Sequence, residues 1–153
     1  MDPVLMAALG KVGATAVFGL AATGSAMGTG TAGMAAVGAW KRAYAQNKAA
    51  PFVLVTFIGA PLSQTIYGMI LMNAVIRAAA GGGGGAGGWP AMLGIGLFGG
   101  LAIGASAYYQ GRVAAAAADA LGDTGQGFGN YLMAIGVVET VALFVLVFIQ
   151  SAL

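Results

Sequence analysis

From Tyr131 to Leu153 the chain reads YLMAIGVVETVALFVLVFIQSAL, and its single charged side chain is Glu139, near the middle. As a helix, this run is about long enough to cross a hydrocarbon core of roughly 30 Å. A carboxylate at the bilayer centre costs about 2.5–3.5 kcal/mol on the insertion scale, so an acid at that depth is read as an ion or proton site. Three further apolar runs precede this one, from about Leu5 to Trp40, Phe52 to Ile76 and Trp89 to Leu121; the last run itself opens near Phe128. All of them far exceed the ~10 residues of a barrel strand, and none alternates. With 59% hydrophobic and 7% charged residues, against about 25% charged in soluble domains, the chain reads as an all-α membrane protein with four transmembrane helices.

The absence of cysteine and histidine removes disulfides, thiolate metal sites and histidine relays. A net charge of +2, thinly scattered, does not suit nucleic acid. The N-terminus MDPVLMAALGK has an acid at position 2 and no basic n-region, so it does not read as a cleaved secretory signal.

The connectors are KRAYAQNKAAP (41–51), RAAAGGGGGAGG (77–88) and GDTGQG (122–127), each with chemistry that ends helices. Pro51 suits a first helical turn. Gly81–Gly85 reads as a flexible linker; no Lys-Ser/Thr follows it as a phosphate loop requires. Lys41, Arg42 and Lys48 place the first connector in the cytoplasm. Four spans then put the 122–127 turn there too, and both termini on the other side of the cell membrane. Lys11 and Arg77 work against that bias.

Gly13, Gly19, Leu20, Ala21, Ser25, Ala26, Gly30, Ala35, Ala36 and Ala39 recur 81 residues later, as Gly94, Gly100, Leu101, Ala102, Ser106, Ala107, Gly111, Ala116, Ala117 and Ala120. The chain is thus expected to be two tandem, duplicated helical hairpins, residues 1–80 and 89–153, joined by the glycine linker 81–88. Gly24 with Gly28, and Gly96, Gly100 and Gly104, are small-residue faces that let helix backbones approach closely in lipid. Ordinary packing in a four-helix bundle fits this pattern. So does an inner layer of slim helices crowded round an axis, with the bulkier second and fourth helices outside.

Residues at equal depth in an antiparallel hairpin have numbers with a constant sum. Gln110 lies 14 residues before the turn near 124 and Glu139 lies 15 after it, so both sit roughly 20 Å from it. Gln110 is expected to face Glu139. Arg112 is expected to snorkel toward the cytoplasm or meet Asp119 rather than to act as a counter-charge. In the first hairpin Ser63, Gln64 and Tyr67 fall near the same depth, with Pro61 a turn earlier. Proline frees a backbone carbonyl four residues back. An acid among oxygen donors, with no sulfur or imidazole, suits a hard cation, and one charge suits a monovalent one. Two glutamines and a serine exceed what a proton site needs, which favours sodium. Leu62 stands where Glu139 stands in the second hairpin, so each chain offers one carboxylate. Thr29, the repeat counterpart of Gln110, reads as a packing residue.

These residues resemble the membrane rotor-ring proteolipid of V-type ATPases, and most closely subunit K of the sodium-translocating bacterial branch. The likeness rests on Pro61, Ser63, Gln64 and Tyr67 in helix two, Gln110-Gly111 in helix three and Val138-Glu139-Thr140 in helix four. It implies a ring of identical copies turning in lipid. It also implies a stationary membrane subunit with an essential arginine, and a central-stalk subunit docked at the cytoplasmic turns. By resemblance the sodium ligands are Glu139, Gln110, Gln64, Ser63 and the Ala60 backbone carbonyl, with Tyr67 bonding the carboxylate. Ser63 stands where threonine is frequent, and Ala60 where the family has a bulkier residue. No nucleotide motif is present, so a non-catalytic ion-translocating subunit is expected. Three other readings remain: the same ring carrying protons, a small secondary transporter with Glu139 as relay, and a structural proteolipid.

Overall fold

The computed structural model describes residues 2–81 and 88–153, so most of the glycine linker lies outside the described residues. Four helices long and apolar enough to cross a membrane follow one another: α1 (Pro3–Ala45), α2 (Phe52–Ala80), α3 (Gly88–Thr124) and α4 (Phe128–Ala152). Strands are absent among the described residues. The chain is an all-α multi-pass membrane protein.

The helix ends follow from local chemistry. Asp2 accepts the Val4 amide at 3.0 Å, and Pro3 occupies the first turn, where a missing N–H costs nothing. α1 runs past Trp40 because KRAYA continues a good helical sequence; Gln46 caps it and Asn47 turns into the left-handed region, φ 54°. At about 1.5 Å per residue its 43 residues far outreach the bilayer core. Pro51 stands just before α2 rather than inside its first turn, and its carbonyl accepts the Trp40 indole N–H at 2.9 Å. Between α3 and α4, Gly125 (φ 66°) and Gly127 (φ 88°) adopt left-handed conformations that cost an L side chain energy.

Two helices are locally irregular. In α2 the residues Ala60–Leu62 tighten to a 3-10 turn around Pro61, which has no N–H for the α ladder. In α3 the residues Ile95–Gly99 widen to a π-helical turn, where Gly96 lies against the Gly13 backbone.

Close approaches give the helix directions. Gly13 meets Gly96, Gly24 meets Gly104 and Gly28 meets Gly111, so α1 and α3 run parallel, backbone against backbone. Ala21 faces Gly68 and Gly28 faces Pro61, so α2 is antiparallel to α1. Gly99 lies near Ile149 and Ser106 bonds Val138, so α4 is antiparallel to α3. A methyl group at Gly24, Gly28 or Gly111 would run into the opposite backbone, which is why this central pair is glycine. Phe57 stacks on Phe128 at 5.5 Å in the core nearest the α3–α4 turn. Phe144 and Phe148 of α4 are exposed, as a lipid-facing side chain should be.

At the end holding both short turns, Arg42 bonds Asp119 at 2.6 Å and Asp123 at 3.0 Å, tying α1 to α3. Of the two outcomes expected for Arg112, snorkelling or a pair with Asp119, the second is not formed, since Asp119 is held by Arg42. Positions seven apart on one helix are about 10 Å apart along the axis, whereas the end of α1 lies directly across. Arg112 is exposed and lies about 6 Å over the rings of Tyr108 and Tyr109 (6.0 and 5.9 Å to the centroids).

A candidate cation site between three helices

The break in α2 sets up the site. The tight turn at Pro61 brings Ser63 onto the Ala60 carbonyl: the Ser63 backbone N–H and its Oγ both donate to it, Oγ at 3.1 Å. Ser63 Oγ also reaches Gln64 Oε1 at 3.1 Å. Three oxygens on neighbouring groups of one helix thus form a continuous run.

Gln64 is fully buried and carries the run to α3: its Nε2 donates to Gln110 Oε1 at 2.7 Å. Gln110, also fully buried, carries it to α4. Its Nε2 donates to Glu139 Oε2 at 3.2 Å and to the Ile135 carbonyl at 3.3 Å. Tyr67 closes the set from α2 with a 2.5 Å hydroxyl bond to Glu139 Oε1. Both carboxylate oxygens are therefore held by neutral donors from two different helices. Among the described residues there is no cluster of three or more His, Cys, Asp or Glu side chains. The site offers one formal negative charge among amide, hydroxyl and carbonyl oxygens.

Ala60, Ser63, Gln64, Tyr67, Gln110 and Glu139, named from the sequence, all join this one network. Gln110 faces Glu139, as expected from the depth count. Arg112 takes no part in it. Thr29 is turned inward, its hydroxyl buried without a hydrogen-bond partner. One contributor was missed: Ser106, whose Oγ donates to the Val138 carbonyl at 2.9 Å, fastening α3 to α4 beside the acid. The signal was available, since Ser106 sits one turn before Gln110 on the same face and belongs to the repeated set.

Such a network can hold a carboxylate in one orientation inside lipid, and it offers several hard oxygens to a cation.

Residues 93–149, most of α3 and α4, match the ATP synthase C-subunit family. That stretch includes Gln110 and Glu139, and the likeness supports a rotor-ring proteolipid of an ATPase membrane sector, itself non-catalytic. No curated protein matches the chain.

Proposed function

We propose that this chain is a rotor-ring subunit of the membrane sector of a V-type ATPase, and that each copy carries one sodium ion on Glu139. The observation that carries the reading is the continuous polar path from the Ala60 carbonyl through Ser63, Gln64 and Gln110 to Glu139. The match of the second hairpin to the ATP synthase C-subunit family supports the rotor. The duplicated hairpin, with one acid per four helices, supports the V-type form.

Sodium is the cargo. Its ligands would be Glu139, Gln110, Gln64, Ser63 and the Ala60 carbonyl, with Tyr67 fixing the carboxylate. The Ala60, Ser63 and Gln64 oxygens follow one another at 3.1 Å, close enough to share one hard cation. Gln110 Oε1, now bonded to Gln64, turns to the ion. A paired carboxylate and cation is nearly neutral and can pass the lipid face; a bare carboxylate cannot do so cheaply. A stationary subunit's arginine displaces the ion where the site opens to water, and rotation driven elsewhere brings each copy there in turn. The cytoplasmic turns, braced by Arg42, dock the central stalk, and both termini lie outside the cytoplasm.

A carbodiimide tests this. It should label Glu139 in native membranes, with sodium protecting in a saturable way. Labelling indifferent to sodium would move the cargo to protons, and a Glu139 that never reacts would remove the site.

A further inference from the structure

Among the described residues, the buried side-chain oxygens with no hydrogen-bond partner are Ser25 Oγ and Thr29 Oγ1. Ser25 is only 2% exposed. The hydroxyls of Thr15, Thr23, Thr31, Thr124, Thr140 and Ser151 behave differently: each is exposed and donates to a carbonyl three or four residues back on its own helix. Such back-bonding is the ordinary resort of a hydroxyl on a membrane helix. Ser25 and Thr29 forgo it, and their hydroxyl oxygens are buried one turn apart on α1. A buried polar group left unpaired bears its whole desolvation penalty, so two together on one face call for a shared partner.

The facing helix identifies that partner's surroundings. Ala21 lies against Gly68 and Gly28 against Pro61, so Ser25 falls at the level of Gln64. Gln64 belongs to the buried stripe of α2 that also holds Pro61, Gly68 and Leu71. Its Nε2 carries two hydrogens, and the one hydrogen bond it donates goes to Gln110. Thr29, one turn further along α1, falls at the level of Ala60. Two unpaired hydroxyls thus stand level with the spare amide hydrogen of Gln64 and with the proline break, where α2 gives up a helical hydrogen bond. A buried water needs two to four polar partners.

We propose that Ser25 and Thr29 hold a water molecule between α1 and α2. The water accepts the second Nε2 hydrogen of Gln64 and the Thr29 hydroxyl proton, and donates to Ser25 Oγ. It fixes the amide of Gln64 so that Oε1 stays on the Ser63 side. α1, which offers no side chain to the cation, then acts on the site through this water, with Ser25 and Thr29 as positioning residues. The effect on cation binding rests on the function proposed above; the water itself does not.

The test uses the whole assembly purified from membranes and two double variants. Ser25→Ala with Thr29→Val removes both hydroxyls, while Ser25→Ala with Thr29→Ser keeps one. The first should lower the melting temperature and raise the sodium concentration for half-protection of Glu139 about fivefold, the worth of one net hydrogen bond. The second should recover part of both. A high-resolution density map should show an ordered solvent peak between Ser25, Thr29 and Gln64 in the parent and none in the first variant. If the first variant melts at or above the parent temperature, or the parent map has no such peak, the hydroxyls are merely orphaned and the proposal falls. Should sodium fail to protect even the parent, the cargo assignment fails, while melting temperature and density still judge the water.

Discussion

Gly28 and Gly30 lie two residues apart on α1, yet the same substitution should act on them in opposite directions. A methyl group at position 28 would stand 2.9 Å from Pro61 Cβ and closer still to the Ala107 carbonyl oxygen. The obstacle on α3 is backbone, which cannot rotate away. Ordinary contact at 3.4–4 Å therefore requires α1 to withdraw by about 1 Å, and overpacking of this kind costs about 1–3 kcal/mol. At about 2–4 °C per kcal/mol for a chain of this size, Gly28→Ala should lower the melting temperature by several degrees. The damage should also reach the cation site. Gly28 packs on Gly111, the neighbour of Gln110, and on Pro61, at the middle of the tight turn; moving α1 disturbs both ends of the 2.7 Å Gln64–Gln110 bond. At Gly30 there is nothing within 4 Å, and alanine gains about 1 kcal/mol of helix propensity over glycine. Gly30→Ala should be neutral or stabilising, and Gly136→Ala, equally open on α4, serves as a second control. Melting of the purified assembly, followed together with sodium protection of Glu139, reads both effects. If Gly28→Ala matched the two controls in both measurements, the close glycine packing of α1 on α3 would be refuted.

Other changes have equally definite outcomes. Gln110→Leu leaves the buried Gln64 amide unpaired and strips one donor from Glu139; with about 1.5–3 kcal/mol at stake, sodium protection should weaken at least tenfold while a sizing column still shows the assembled species. Ser106→Ala removes a hydrogen bond to the Val138 carbonyl, and a loss of about 1 kcal/mol should appear as a small drop in melting temperature, with labelling of Glu139 retained. Arg42→Ala breaks an exposed pairing with Asp119 and Asp123; its effect on melting should be slight and should vanish in concentrated salt, because exposed ion pairs are screened.

What is legible in the sequence depends on constraints that act along one helix or across one hairpin. The span count needs only length and apolarity, and the pairing of Gln110 with Glu139 needs only helical rise and a turn position. Assembling Ser63, Gln64 and Tyr67 on the same acid is of another kind: depth places them level with Glu139, but rotation about α2 decides whether they face it. The tight turn at Pro61 supplies that rotation. Arg112 shows where depth alone misleads, because the partner of Asp119 comes from α1, and no count along α3 could find Arg42. Thr29 shows a second blind spot. Small polar residues on a glycine-rich helix all look like packing, and only the facing stripe separates those that bond their own carbonyls from those turned inward. The glycines of α1 and α3 serve packing in the plainest sense, letting two backbones touch. That contact fixes the level of Gly111 against Gly28, while Ala21 on Gly68 and Gly28 on Pro61 fix that of Ser25 against Gln64; together they place a polar network built from α2, α3 and α4. The slim central pair is in this way part of the site, although α1 contributes no side chain to the acid.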